Sequence, residues 1–216
     1  MKLLNEQNKA FIKMIKNRTD NDLKESSVKE RIVSAAWQLF YEKGFASTTV
    51  DDIISKSNTS KGSFYYYFHT KDDLLKTLAD VLDDYYDELE KELPKDKNSI
   101  LKLLFLNERV HEMMEKKISL DILASLYSTQ LIAQGQSRLL DHNRKYYKLI
   151  TKIIEQGQAN KEITREKTVG EIVHYYAMCE RALVYDWCLS KGDYSLSKYS
   201  KEVMTSMLSD LKGTIN

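Results

Sequence analysis

The stretch from Thr48 to Lys71, TTVDDIISKSNTSKGSFYYYFHTK, leaves this chain few folds to choose from. It packs two short helical patterns around a tight turn. Thr49 is placed to N-cap the first helix, with Asp51 and Asp52 in the first turn, where the helix dipole favours negative charge. Val50, Ile53 and Ile54 form its apolar side. Ser57-Asn58-Thr59 then breaks the pattern. Asn58 stands where the backbone must turn sharply, and Asn tolerates the left-handed region better than most residues. Ser60 can cap a second helix running through Gly62, Phe64 and Phe68. This is helix-turn-helix syntax, in which the second helix enters the major groove of DNA.

The content of the second helix fits that use. Ser60, Lys61, Gly62 and Ser63 supply small donors, one cation and a position without a side chain. A helix N-terminus so composed can approach phosphates and base edges closely. Phe64 and Phe68, one turn apart, are the natural core pair. Tyr65, Tyr66 and Tyr67 point about 100° apart in succession, so at least two should face outward with hydroxyls free for phosphate. Taken alone, the same run also reads as a tyrosine-rich surface helix. The candidate DNA-binding set is Thr49, Thr59, Ser60, Lys61, Gly62, Ser63, Tyr65, Tyr66, His69 and Lys71.

From Val28 to about Leu82 the chain closely resembles the DNA-binding domain of TetR/AcrR-family transcriptional regulators. The matching features are an apolar first helix ending in LFYEKGF (Leu39 to Phe45), TTVDDI (Thr48 to Ile53), SKGSFYYYF (Ser60 to Phe68) and KDDLL (Lys71 to Leu75). Asn58 departs from the glycine usual at that turn, and Thr59 from the usual valine. The resemblance implies an all-α protein. A three-helix helix-turn-helix domain precedes a C-terminal helical domain for ligand binding and dimerisation. It also implies homodimers on a palindrome-like operator in double-stranded DNA, a partly apolar small-molecule inducer, and no cofactor.

Composition agrees. One proline and seven glycines in 216 residues favour long helices over a turn-rich sheet protein. Net charge is only +1, so DNA binding must rest on local placement of cations and on dimers. Two or three cations per head predict a salt slope of about −4 to −5. No apolar run is long enough to span a bilayer, and the N-terminus lacks a signal-peptide h-region. Cys179 and Cys188 fall on opposite faces of one predicted helix and cannot bridge, which fits a reducing cytoplasm.

Residues 1–26 form an extension with an amphipathic signal. Its cations, including Lys9, Lys13, Lys16 and Arg18, suit an arm tracking the DNA backbone; a short helix docked on its own protein fits the pattern as well. Residues 27–75 are the predicted DNA-binding domain and 76–216 the ligand-binding and dimerisation domain. Ile32, Ala35, Ala36, Leu39 and Phe40 are the buried face of the first helix of the head, which Gly44 stops. Lys71 to Leu93 reads as one long linking helix. Beyond Pro94 every segment is helical in pattern, and the helix ending at Leu189 carries two apolar stripes. By resemblance, the last two helices form the dimer bundle, with Val184, Trp187, Val203 and Met207 at the interface. Phe105, Met113, Tyr127 and Tyr176 are candidates for an adaptable ligand pocket, a pattern that plain core also produces.

An alternative rests on Glu108-x-x-His111 and Glu171-x-x-His174. Two Glu-x-x-His pairs, with a Glu from each of two further helices, build a di-iron site in ferritin-like bundles. Chance matches in a Glu-rich helical chain produce the same spelling.

Overall fold

The structure, a computed structural model, describes residues 27–132 and 138–213. The expectations for the extension at 1–26 therefore lie outside the described residues. Among the described residues ten α-helices follow one another: α1 (Val28–Lys43), α2 (Val50–Ser57), α3 (Lys61–Tyr67), α4 (Asp72–Leu75), α5 (Thr77–Glu92), α6 (Ser99–Lys117), α7 (Leu120–Ile132), α8 (Lys145–Ala159), α9 (Val169–Leu189) and α10 (Leu196–Ser209). A 3-10 turn spans Arg138–Leu140, and the one bridge among the described residues joins Ile163 to Lys212. The protein is all-α. It divides into two units, Met1–Val81 with Lys116–Leu139, and Leu82–Glu115 with Leu140–Asn216.

In the first unit, caps written in the sequence set the helix boundaries. Ser27 and Glu30 exchange bonds as a capping box at the start of α1. Gly44 ends α1 with φ 86°, a backbone that costs glycine nothing. The buried face holds Ile32, Ala35, Ala36, Leu39 and Phe40, and also Trp37 and Tyr41. Those two are buried because their polar tips are met: Trp37 Nε1 donates to Thr77 Oγ1 at 2.9 Å and Tyr41 OH to the Lys117 carbonyl at 3.1 Å. Edge-on contacts of the Phe40 ring with Trp37 and Phe45 close the core, which receives Ile53, Phe64 and Phe68 from the helix-turn-helix.

The expected single helix from Lys71 to Leu93 is two helices. Its opening turn is fixed by Asp73, whose carboxylate accepts the amides of His69 and Thr70. Lys76 keeps helical dihedrals, but Lys76 N bonds Asp73 O and Ala79 N bonds Lys76 O, three residues back in each case. The Thr77 hydroxyl meanwhile donates to the Leu74 carbonyl at 2.6 Å. Threonine back-bonding of this kind tightens and interrupts a helix.

The second unit is a helical bundle. Leu89 of α5, Leu103, Leu106 and Val110 of α6, Ile150, Ile153 and Ile154 of α8, and Met204 and Leu208 of α10 are its apolar filling. In α9 the two predicted stripes merge into one broad buried face through Ile172, Val173, Tyr176, Ala177, Leu183, Val184 and Trp187. Gly157 lets the end of α8 approach closely, since a Cβ there would lie 2.6 Å from Ile163 Cδ1.

Candidate nucleic-acid interface

The helix-turn-helix is built from three local devices. Thr49 caps α2 in a capping box with Asp52: Thr49 Oγ1 accepts Asp52 N at 3.1 Å, and Asp52 accepts Thr49 N at 2.8 Å. The Lys43 ammonium, with the Thr49 donors, holds the Asp52 carboxyl well below the usual carboxylate range. Asn58 ends α2 in the left-handed region at φ 51° and ψ 50°, as the turn requires. Ser60 caps α3, accepting Ser63 N at 3.0 Å. Phe64 is fully buried, and Phe68 is buried just past the end of the helix.

These anchors turn the remaining face of α3 outward. Ser60, Lys61 and Gly62 are exposed, and so are all three tyrosines, Tyr66 most of all at 81%. Thr59 and Ser63 are half-buried and Thr49 and His69 exposed. Thr59 is tied to Ser57 through their hydroxyls at 2.7 Å.

The cations of the head are placed less simply. Lys43 pairs with Asp52 and Lys56 with Glu42, at 2.5 and 2.8 Å. Lys71 is turned inward: its ammonium donates to the carbonyls of Phe45, Ala46 and Thr48 at 2.8, 3.2 and 2.9 Å. It also lies 4.6 Å from the centre of the Phe45 ring. Lys71 thus braces the turn between α1 and α2. Lys61 has only a loose, exposed pairing with Asp51 at 3.9 Å, and is the motif cation best placed to meet a phosphate.

The other candidate residues are distributed as follows. Phe105 is half-buried, Met113 buried, and Tyr176 fully buried with its hydroxyl on the Leu103 carbonyl at 2.9 Å. Tyr127, half-buried, belongs to the other unit. Val184, Trp187 and Met207 are buried within their own unit, and Val203 is half-buried.

The residues of the Glu-x-x-His pairs have other work. Glu108 pairs with Lys201, Glu171 closes the capping box of α9 with Thr168, His174 is exposed, and buried His111 faces Ser200 Oγ at 2.8 Å. Among the described residues no group of three or more His, Cys, Asp or Glu could hold a metal ion.

The sequence reading passed over a buried polar cluster of Asn107, Glu180 and Ser200 with His111 and Tyr146. A signal was present. Glu180 falls in register with Val173, Tyr176, Ala177 and Val184, a charge on an otherwise apolar face.

An α-helix anchored by two phenylalanines and presenting a capped, donor-rich N-terminal turn defines a helix-turn-helix DNA-binding protein. Comparison with known proteins narrows the class. Residues 32–78 match the family described as bacterial regulatory proteins, tetR family. The chain is 27% identical over 181 residues to the uncharacterized HTH-type transcriptional regulator YvdT of Bacillus subtilis (strain 168), covering 82% of this chain and 91% of that one. It is 26% identical over 169 residues to the HTH-type transcriptional regulator TtgR of Pseudomonas putida, covering 73% and 80%. The fold is similar to that of Thermus thermophilus FadR, a TetR-family repressor solved in complex with lauroyl-CoA. The TM-score is 0.72 at 18% identity, over 87% of this chain and 98% of that one. The chain thus carries a helix-turn-helix head of the tetR family type, and its similarity to HTH-type transcriptional regulators extends beyond that head. No helix among the described residues is long and apolar enough to cross a membrane.

Proposed function

We propose that this regulator is a homodimeric repressor, released from a palindrome-like operator by a small-molecule inducer. In this reading residues 27–75 are the DNA-binding head and 76–216 hold the inducer and the dimer contact. The DNA contacts come from Thr49, Thr59, Ser60, Lys61, Gly62, Ser63, Tyr65, Tyr66 and His69, with Lys71 as a brace behind them.

The observation that carries the dimer is the outer face of α9. Tyr175, Met178, Ala182, Tyr185 and Leu189 are all exposed, Leu189 at 62%. Their spacing follows the a and d positions of a heptad, the seam along which helices pair. A row of large apolar side chains in water favours a partner, and a second copy offers the same row in a two-fold arrangement. Tyr199 of α10, 47% exposed, adds to the apolar surface. Two heads joined this way can place their recognition helices in successive major grooves.

Inducer release requires a ligand that binds the non-DNA conformation better than the DNA-bound one. FadR of Thermus thermophilus and of Bacillus subtilis, which share this fold, were solved with lauroyl-CoA and stearoyl-CoA, which supports a small-molecule ligand. The acyl-CoA chemistry is a property of those proteins.

The test is Tyr185→Glu, read by sedimentation and operator titration. The variant should be monomeric, keep its helicity and lose operator affinity. An intact dimer would place the contact elsewhere.

A further inference from the structure

Two carboxylates of the second unit, Asp83 half-buried and Glu180 buried, are treated differently. Asp83 is paired with the Arg144 guanidinium at 3.0 Å, with side chains only 16% and 4% exposed. Glu180, 7% exposed in the middle of α9, has no cation among its bonding partners in the described residues. One oxygen accepts Asn107 Nδ2 at 3.0 Å and the other the Tyr146 hydroxyl at 2.6 Å. The Tyr176 hydroxyl also lies against it. Arg181, the next residue, turns its guanidinium to the Tyr147 hydroxyl at 3.0 Å. Beyond Asn107 the network runs to Ser200 and His111, both buried.

A buried carboxylate with only neutral donors costs several kcal/mol as an anion, and the usual escape is to take up a proton. Burial does raise the Glu180 pKa, against the opposing hydrogen bonds of Tyr146 and Asn107, the Tyr176 hydroxyl and the charge of Arg181 beyond it. Glutamine or an apolar residue would fill the position more cheaply. What a carboxyl offers in addition is attraction to a positive guest. The surroundings suit such a guest, since the Tyr146 ring lies 5.1 Å from Tyr86 and 4.9 Å from Tyr147, giving aromatic faces beside the charge.

We propose that Glu180 is the counter-charge of the inducer, and that the inducer is a lipophilic organic cation, an amine or onium group on an aromatic or branched apolar body. This rests on the inducer reading above and names the ligand class for it. The cation takes the place of the Asn107 and Tyr146 donors on the carboxylate. Those donors stand on α6 and α8, so admitting a guest between them and α9 moves the helices, which makes the ligand a selector of conformation.

The proposal carries a pH signature. A cation binds carboxylate in competition with a proton, so affinity should rise with pH, by up to about tenfold per unit below the Glu180 pKa. The groups around Glu180 are Asn107 and His111 of α6, Tyr86 of α5, Tyr146 of α8, Ser200 of α10, and Tyr176, Cys179 and Arg181 of α9 itself. His111 is held neutral by burial, its pKa lowered to about 3. Tyr146, Tyr176 and Cys179 are pushed upward. Glu180, its pKa raised by burial, is therefore the group whose proton competes with the ligand.

The test uses pairs of probes of like shape and opposite charge on the full-length protein: tetraphenylphosphonium against tetraphenylborate, and benzyltrimethylammonium against phenylacetate. Calorimetry at pH 6 and 8 should show a cation binding with its anionic twin silent, and tighter at the higher pH. Glu180→Gln should weaken the cation by about tenfold or more. The charge comparison and the pH series need only the wild type, so they decide the matter even if the variant does not fold. Binding of an anion as tight as its cation, or of lauroyl-CoA at the same site, overturns the proposal, as does an affinity that falls as pH rises. Operator binding is measured on the same preparation. A protein that holds its operator and binds neither cation refutes the cation class alone; one that binds no DNA refutes the regulator reading beneath it.

Discussion

Replacing Lys71 by methionine separates two roles that a lysine in a helix-turn-helix can have. Met keeps a long apolar stem over the Phe45 ring and removes only the ammonium. The ammonium makes three bonds, to the carbonyls of Phe45, Ala46 and Thr48. A hydrogen bond to a charged group contributes about 1.5–3 kcal/mol where water is excluded. Here Ala46 is exposed and Lys71 itself half-buried, so water recovers part of the loss. The net cost should be about 1–3 kcal/mol, or a fall in Tm of about 3–10 °C for cooperative unfolding of a chain this size. The turn that loses its brace leads directly into the Thr49 cap, so operator affinity should fall as well. The salt dependence tells why. A lost phosphate contact would flatten the slope of log K against log salt by about 0.9 per head, or about 1.8 in a dimer. A brace leaves the slope unchanged and lowers Tm. An unchanged Tm with a slope flattened by nearly two units would refute the brace and return Lys71 to the DNA surface.

Asn58 sits at φ 51°, so Asn58→Ala should destabilise the head by about 1 kcal/mol while Asn58→Gly should be neutral or slightly stabilising in a denaturant titration; equal effects would show that the turn is not strained. Lys61→Ala should weaken operator binding without changing Tm. With Lys43, Lys56 and Lys71 occupied, the salt slope of a variant lacking residues 1–21 should be about −2, shallower than the −4 to −5 expected from counting cations in the sequence. Burial holds the His111 pKa down to about 3, so His111 is neutral in the fold and gains a proton on unfolding. The stability it contributes is present above its unfolded pKa of about 6.5 and drains away as pH falls toward 3. His111→Gln should flatten that acid limb in pH-dependent melting, and an unaltered limb would put its origin elsewhere.

The head was legible because its devices are local. Thr49, Asn58, Ser60 and Gly44 each act on backbone within four residues, so the cap or the left-handed turn can be read from neighbours alone. Lys71 was not, because its acceptors lie in a turn more than twenty residues earlier and lysine is equally at home on phosphate. The outer face of α9 was hidden for a different reason. Periodicity marked two apolar stripes on α9, but both are covered by the chain itself; the free row runs through Tyr175, Met178, Tyr185 and Leu189, where tyrosine and alanine dilute the apolar signal. The cluster around Glu180 draws one residue or two from each of α6, α8, α9 and α10, a convergence that linear spacing does not encode.

The central claim, a dimer reading a two-fold site through α3, is tested most directly by recovering the genomic DNA fragments the full-length protein binds and footprinting them. Two protected half-sites related by a dyad are expected, about one helical turn or a multiple of it apart. Loss of protection on Lys61→Ala and on Tyr185→Glu should follow, the first through the contact and the second through the dimer. A single unpaired footprint, or protection that survives in the Tyr185→Glu monomer at full affinity, would contradict it.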